Sequence, residues 1–225
     1  MTEQTDAFAA LLAARYSCRA FLAKPVPRET IEQILALAQR TPSWCNSQPW
    51  RLVITSGAAT ERFRKALYDY AQSHDATPDF PFPREYRGVY LERRRECGFQ
   101  LYAAVGVPRG DRAAGTRQTM ENFRLFGAPH AAIVTTDEAL GVYGAIDCGA
   151  YVNNFALAAK SLGVASIAQA ALARHPQFTR AFFGLPEDRQ IVCGISFGFE
   201  DAKHPANAFR TSRAVLQTVA DWRDR

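Results

Sequence analysis

The chain has 225 residues, 48% of them apolar and 22% charged, which is enough for the core of one large domain. Its net charge of +5 is too small to predict nucleic-acid binding by itself, and no apolar run reaches the roughly 20 residues that span a bilayer. Because residues 1–6 lack the basic-then-apolar layout of a signal peptide and the five cysteines are scattered singly, we expect a cytoplasmic protein with reduced thiols.

The first half of the chain predicts four helices and one strand. Ala and Leu content predicts a helix over residues 7–14. Apolar residues from Ile31 to Ala38 repeat at three and four positions, and Pro42 ends that second helix. Residues 50–55 predict a short buried strand, and residues 58–73 and 88–104 predict helices. Between these two helices, residues 74–83 contain three Pro and predict a loop.

The second half predicts three strands, over residues 131–135, 164–167 and 190–199, and helices over 143–162 and 175–183. The 143–162 helix is apolar nearly all round, which predicts that it is buried. Residues 105–129 mix Gly, Arg and aromatic residues and indicate a mobile or lid-like excursion. No linker or repeat interrupts the chain, so residues 1–225 predict a single α+β domain.

The most informative stretch is residues 41–50, Thr-Pro-Ser-Trp-Cys-Asn-Ser-Gln-Pro-Trp. Its two Pro limit the backbone to few conformations. Its hydroxyl and amide side chains lie beside two Trp rings, a combination suited to holding a flat ligand. The alternative is an ordered turn whose Trp residues only fill the core.

Two further segments combine arginine and hydroxyl side chains. Arg15, Ser17 and Arg19 occupy alternate positions, so an extended backbone would project all three to the same side. Near the end of the chain, Arg210 and Arg213 lie three residues apart within Asn-Ala-Phe-Arg-Thr-Ser-Arg. These side chains are suited to binding phosphate. For any one Arg alone, a surface salt bridge is the ordinary alternative.

Together and in this order, the Arg15 segment with the Pro-rich residues after it, the 41–50 loop and the 207–213 segment resemble the FMN-dependent nitroreductase family, and in particular its nitroaromatic or nitrobenzoate reductase branch. The resemblance runs from about residue 11 to about residue 222. It implies a central, mostly antiparallel sheet flanked by helices, in an intertwined homodimer that binds FMN. It also implies that residues 205–225 extend over the dimer partner.

The resemblance also implies a role for each segment. Arg15 and Ser17 lie on the ribityl-phosphate side of the flavin, Arg19 lies toward N1 and O2, and the loop reaches the flavin of the other subunit. A third contact comes from backbone N–H groups near Gln169 that meet flavin N5 and O4. The implied cofactor-binding set is Arg15, Tyr16, Ser17, Arg19, Pro42, Ser43, Trp44, Asn46, Gln48, Ala168, Gln169, Ala170, Ala171, Arg210 and Arg213.

The expected reaction is a ping-pong hydride transfer from NAD(P)H through flavin N5 to a nitroaromatic or quinone acceptor, with no side-chain nucleophile and no metal. Phe123, Phe126 and Arg117 are the predicted substrate residues, and Arg109 or Arg112 could serve instead of Arg117 to pair with a substrate carboxylate. Two alternatives stay open. One is a related flavoenzyme with other chemistry, such as dehydrogenation, dehalogenation or flavin destruction. The other is a non-catalytic FMN-binding protein.

Other functional motifs fail on their spacing. Residues 194–198 match Gly-x-Ser-x-Gly, but Asp201 and His204 follow too closely to complete a hydrolase triad around Ser196. The four His residues never occur at metal-ligand spacing, and the sequence contains no Walker or Gly-x-Gly-x-x-Gly motif. A nicotinamide donor would therefore bind without a Rossmann domain.

Overall fold

The central sheet has four antiparallel strands in the order β1-β2-β4-β3 in the computed structural model, which describes residues 2–223. The strands are β1 (Arg51–Ser56), β2 (His130–Asp137), β3 (Ala165–Gln169) and β4 (Arg189–Gly198). Strand β2 lies between β1 and β4, and β3 forms the far edge. The predicted strands are confirmed to within one or two residues at each end, as is the antiparallel sheet.

Seven helices surround this sheet: α1 (Glu3–Ala14), α2 (Arg28–Ala38), α3 (Ala58–Ala71), α4 (Gly88–Ala104), α5 (Arg112–Met120), α6 (Gly141–Ser161) and α7 (Pro176–Phe183). All but α5 were expected from the sequence. The α+β class is therefore confirmed. Within residues 2–223, no helix combines the length and apolar character needed to cross a membrane.

Two hydrophobic clusters lie on the two faces of the sheet, because successive strand residues point to opposite faces. Ile133 of β2 belongs to the cluster that contains Phe63 of α3. Its neighbour Val134 belongs to the other cluster, with Phe155 of α6. Burial on both faces explains why β2 reads as a continuous apolar run.

Helix α6 packs on the sheet through one face and exposes the other. A Cβ atom at Gly144 would lie 2.5 Å from the Thr136 side-chain oxygen, so only glycine allows this close approach of α6 to β2. Val142, Tyr143 and Ile146 on the outer face are exposed. The prediction of a fully buried helix is therefore wrong for a single chain, because these three side chains each stay more than half exposed.

The 105–129 segment is not one continuous excursion. Its first part contains α5, which buries no residue in the described chain. Its second part enters the core, where Phe123, Leu125 and Ala128 are buried. Leu125 and Phe126 both adopt positive φ values, 58° and 52°, which turns the chain sharply into the sheet. A lid therefore stays a prediction, and only for the part around α5.

Candidate functional site

The segment that follows α1 extends the sheet at its β3 edge. Ser17 forms a parallel bridge with Ser166 of β3, and the Cys18 N–H donates to the Ser166 carbonyl at 3.2 Å. This pairing holds residues 15–19 extended, so successive side chains point to opposite sides. Cys18 points into the core and is fully buried, and burial raises the pKa of its thiol to about 11.

Arg15, Ser17 and Arg19 line one cavity of about 260 Å³, and Arg210 and Arg213 line the same cavity. The structure thus brings together the two arginine segments, which lie about 190 residues apart in the sequence. The remaining lining residues, which include no acid, are Leu12, Ala13, Tyr16, Cys97, Phe209 and Thr211. Four cationic side chains therefore surround a small space without a carboxylate.

The arginines of this cavity bind only neutral partners within residues 2–223. Arg19 donates to the Ser17 carbonyl at 3.2 Å, and Arg213 donates to the Thr211 hydroxyl at 2.9 Å. None of the four forms an ion pair with a described residue. Burial lowers the pKa of Arg19, because desolvation disfavours its charged form. A cavity of uncompensated arginines fits an anion such as a phosphate.

Asn207 joins the two arginine segments. Its side-chain oxygen accepts a hydrogen bond from the main-chain N–H of Arg19 at 2.8 Å. Its side-chain nitrogen donates to the main-chain carbonyls of Ala20 and Asp201, both at 2.9 Å. Asn207 is buried, so these bonds fix the return of the chain toward Arg210. The sequence motif contained Asn207 but did not assign it a role.

Tyr16 supports this cavity through its ring. Its hydroxyl donates to a Glu200 carboxylate oxygen at 2.7 Å, and burial together with this bond raises its pKa. The Arg210 guanidinium lies 3.5 Å from the centre of the Tyr16 ring. This stacking holds Arg210 at the cavity.

The end of β3 exposes small side chains. Ala168 and Ala170 are exposed, whereas Gln169 between them is buried. The Gln169 side chain accepts a hydrogen bond from the Ser196 hydroxyl and donates to the Asn122 carbonyl at 3.0 Å. Its amide is therefore used inside the protein. Any contact of residues 168–171 with a ligand at this edge must come from the backbone or from methyl groups.

The loop before β1 divides its two tryptophans between surface and core. Trp50 is 6% exposed and stacks on Tyr151, whereas Trp44 is 62% exposed and packs against Tyr143 on the outer face of α6. The main-chain N–H of Trp44 donates to the Asp147 carboxylate at 3.1 Å. The core-filling alternative therefore holds for Trp50 alone. Pro42, Asn46 and the other loop residues up to Gln48 are exposed, except for the half-buried Ser43.

The three predicted substrate residues do not lie together. Phe123 is 1% exposed, so its ring has no free face for a substrate, which contradicts that prediction. Phe126 is also buried, but it lines the edge of a cavity of about 680 Å³ together with Arg117 and Arg19. Arg109 and Arg112 line a separate, larger cavity of about 1140 Å³ near Tyr102. Arg117 is thus the predicted substrate arginine that shares a cavity with Arg19.

Two side chains of the rejected motifs, Ser196 and His130, lie in the core. Ser196 is fully buried in β4 and bonds to Gln169, so it cannot act as an exposed nucleophile. His130 is buried between the Val26 N–H and the Ser56 hydroxyl, and burial lowers its pKa. Across residues 2–223, no group of three His, Cys, Asp or Glu side chains is placed to hold a metal ion.

Comparison with known proteins gives a consistent result. Residues 12–199 match the model of the nitroreductase family. The nitroreductase NfnB of Mycolicibacterium smegmatis is 37% identical over 208 residues, covering 92% of this chain and 88% of the relative. A 4-nitrobenzoate reductase of Pseudomonas putida is 32% identical over 213 residues, covering 95% and 94% of the two chains.

A solved structure is similar over nearly the whole chain. The crystal structure of the FMN-dependent nitroreductase NfnB from Mycobacterium smegmatis, in complex with NADPH, superposes with a TM-score of 0.93. The aligned sequences are 34% identical, and the alignment covers 98% of this chain and 100% of that one. A likeness of this extent includes the edge of β3 and both arginine segments.

Proposed function

This chain belongs to the nitroreductase family, and we propose that it is an FMN- and NAD(P)H-dependent oxidoreductase that reduces nitroaromatic compounds. The observation that carries the proposal is the cavity of four arginines and Ser17 without a carboxylate. The phosphate of FMN supplies the negative charge that would balance these four positive side chains. The absence of a Rossmann motif agrees with a site of this kind rather than a dinucleotide-binding domain.

The chain's own residues suit the parts of FMN. Arg15, Ser17, Arg210 and Arg213 hold the phosphate, because charge-assisted hydrogen bonds from guanidinium groups are strong. Arg19 lines both the small arginine cavity and the larger cavity next to it, so it lies between the phosphate site and the space beyond. From there its charge favours electron density on the N1 and O2 side of the flavin. The backbone near Gln169 faces the N5 side.

When bound, FMN would supply the redox chemistry, a ping-pong hydride transfer from NAD(P)H to the acceptor. The protein positions the reactants and excludes water, and no side-chain nucleophile is needed. NADPH is the nucleotide in the similar solved structure, which supports NADPH as one donor for this chain.

We infer that the functional unit is a homodimer. Trp44, the outer face of α6 around Ile146, and Val215, Leu216 and Trp222 of the C-terminal segment are all exposed apolar surface in one chain. Patches of this kind mark contact surfaces. In the dimer, Pro42, Ser43, Trp44 and Asn46 reach the partner's flavin. Of the predicted 205–225 extension, residues 205–213 stay at this chain's own cavity and residues 214–223 extend over the partner. Residues 224 and 225 of the predicted extension lie outside the described residues.

The acceptor site lies in the cavity of about 680 Å³ that adjoins Arg19. Arg117 lines this cavity and can pair with an acidic substituent of a nitroarene. One similar protein is named a 4-nitrobenzoate reductase, which supports an acceptor of this class. Phe126 offers only a ring edge here, and Phe123 takes no part.

The experiment that tests the function is an anaerobic titration of the purified protein. We expect flavin absorbance that is bleached by NADPH or NADH and restored by 4-nitrobenzoate or nitrobenzene in place of oxygen. A protein that binds FMN but stays yellow with both nucleotides would contradict a reductase. A bleached protein that no nitroarene reoxidises would indicate other flavin chemistry.

A further inference from the structure

Beside the 41–50 loop, four side chains form a continuous run of hydrogen bonds, in which Trp50 is buried and the other three residues are exposed. The Trp50 indole N–H donates to the Gln39 side-chain oxygen at 3.0 Å. The Gln39 side-chain nitrogen donates to the Gln48 side-chain oxygen at 2.9 Å. The Gln48 side-chain nitrogen then donates to the Asn46 side-chain oxygen at 3.0 Å. The run, here called the amide relay, leads from the core to the loop.

The first member fixes the direction of the relay. An indole N–H can only donate, so Gln39 must turn its oxygen toward Trp50. Its nitrogen then faces Gln48, which must offer its oxygen in return. Trp50 is buried in the core and stacked on Tyr151, so this starting donor does not move. The amide orientations thus follow from the chemistry of the tryptophan.

The far end of the relay requires the same direction. The Gln48 side-chain nitrogen also lies 3.3 Å from the Asn46 main-chain carbonyl, which can only accept. Gln48 must therefore present its nitrogen to Asn46. The Gln48 main-chain N–H donates to the Ser43 hydroxyl at 2.9 Å, which holds the loop closed around the relay. Groups that cannot be reversed thus set the orientation at both ends.

The direction of the relay determines which side-chain atoms of Asn46 are free to bind a ligand. Its side-chain oxygen is occupied by Gln48, and its side-chain nitrogen has no hydrogen-bond partner within residues 2–223. Asn46 therefore presents donors, and not an acceptor, to whatever the loop meets. It does so from a left-handed conformation with a φ of 56°, which asparagine tolerates better than most residues.

We propose that Gln39 is a positioning residue that acts through Gln48 to make Asn46 a hydrogen-bond donor toward an acceptor group of the partner subunit's FMN. This inference rests on the proposed function, because it takes FMN as the ligand and places the loop at the partner's site. Gln39 itself does not touch the flavin. Among residues 2–223, Gln39 is the side chain that bonds to both Trp50 and Gln48, so it transmits the polarity of Trp50.

The test replaces the side-chain amide of Gln39 with a carboxylate. Gln39→Glu keeps the acceptor for Trp50 but removes the donor that Gln48 needs, so two oxygens face each other and Asn46 loses its fixed orientation. Gln33→Glu adds the same charge to the same helix, at an exposed position, and serves as the matched control. FMN release from the loaded protein after dilution is followed by flavin fluorescence. We expect release about threefold to tenfold faster in Gln39→Glu than in Gln33→Glu.

A second substitution restores the polarity. When Gln39→Glu is combined with Gln48→Lys, the new carboxylate accepts from both the Trp50 indole and the new ammonium group. The ammonium group in turn donates to both oxygens of Asn46. We expect FMN release to return toward the wild-type rate. Gln33→Glu combined with Gln48→Lys carries the same charges, but the ammonium group then faces the Gln39 nitrogen, so we expect FMN release about as fast as in Gln39→Glu.

The outcomes separate the relay from the proposed function. Equal release rates in Gln39→Glu and Gln33→Glu would overturn the relay while leaving an FMN enzyme. The same conclusion follows if Gln39→Glu with Gln48→Lys releases FMN as fast as its control pair. A wild-type protein that cannot be loaded with FMN would overturn both the relay and the function. Thermal unfolding of each variant distinguishes a loosened fold from a misoriented Asn46.

Discussion

The arginine cavity and the Trp44 loop are both rich in polar side chains, yet one is completed within a single chain and the other is not. The cavity is closed by two distant segments that Asn207 joins, and its members face inward. The loop projects from the surface, with Trp44 62% exposed. The difference agrees with the proposed dimer, in which the cavity belongs to one chain and the loop completes a site of the partner.

Two cysteines give the largest expected contrast between these regions. Cys18 lies behind the cavity, and its pKa of about 11 leaves roughly one thiolate in a thousand at pH 8. Cys45 is exposed in the loop. Since the thiolate is the nucleophile, iodoacetamide at pH 8 should label Cys45 and leave Cys18 unlabelled. Raising the pH toward 10 should increase Cys18 reactivity. Peptide mass spectrometry measures both sites, and equal labelling at pH 8 would contradict the buried position of Cys18.

Removal of one cavity arginine tests the completed site. Arg213→Ala should weaken FMN binding by about 1.5–3 kcal/mol, or roughly tenfold to 150-fold, because a charge-assisted phosphate contact is lost. The flavin-to-protein absorbance ratio of the purified variant measures this effect. Arg28→Ala, which removes an exposed arginine on α2, is the control. Unchanged flavin content in Arg213→Ala would remove Arg213 from the site.

The loop should matter for association rather than for the fold. Sedimentation should show a dimer of two 25.0 kDa chains. Trp44→Ala should raise the dimer dissociation constant by about 30-fold, since interface tryptophans typically contribute about 2 kcal/mol or more. Phe8→Ala on α1 removes another exposed aromatic side chain and should have no such effect. A wild-type monomer with full flavin content would contradict a site shared between subunits.

Arg19 tests whether the cavity extends from the phosphate to the flavin ring. A cation near N1 favours the negative charge that the ring gains on reduction, so Arg19→Glu should lower the midpoint potential. A shift of about 30 mV corresponds to about 1.4 kcal/mol for a two-electron couple. Spectroelectrochemistry of FMN-loaded protein measures it. An unchanged or higher potential would place Arg19 away from the ring.

The smallest expected effect concerns the anchor of the loop. The Asp147 carboxylate accepts a hydrogen bond from the main-chain N–H of Trp44, so Asp147→Ala should release one end of the loop. The loss of this hydrogen bond should destabilise the bound position of the loop by about 0.5–1.5 kcal/mol. We expect FMN release to become about twofold to tenfold faster. Asp69→Ala, which removes an exposed carboxylate of α3, is the control. If the two variants release FMN at the same rate, Asp147 does not support the loop.

Local patterns were sufficient to predict most elements of the fold. Apolar spacing from Ile31 to Ala38 predicted α2, and the alternation of Arg15, Ser17 and Arg19 predicted a common direction that the cavity confirms. These features depend on neighbours within a few residues, where the periods of helix and strand apply. The family resemblance added what periodicity cannot provide, namely that Arg210 and Arg213 meet the same site.

Tertiary structure alone decided which aromatic side chains stay exposed for contact with a ligand or a partner. Trp44 and Trp50 lie in one motif, yet the first is exposed and the second is buried, because Trp50 directly precedes β1 and stacks on Tyr151 in the core. The sequence predicted that Phe123 contacts the substrate, but the folded chain buries its ring in the core. The same holds for Asn207 and Gln39, whose roles depend on partners that only the folded chain brings within hydrogen-bond distance. Sequence spacing determines direction within an element, whereas contact between elements depends on how the whole core packs.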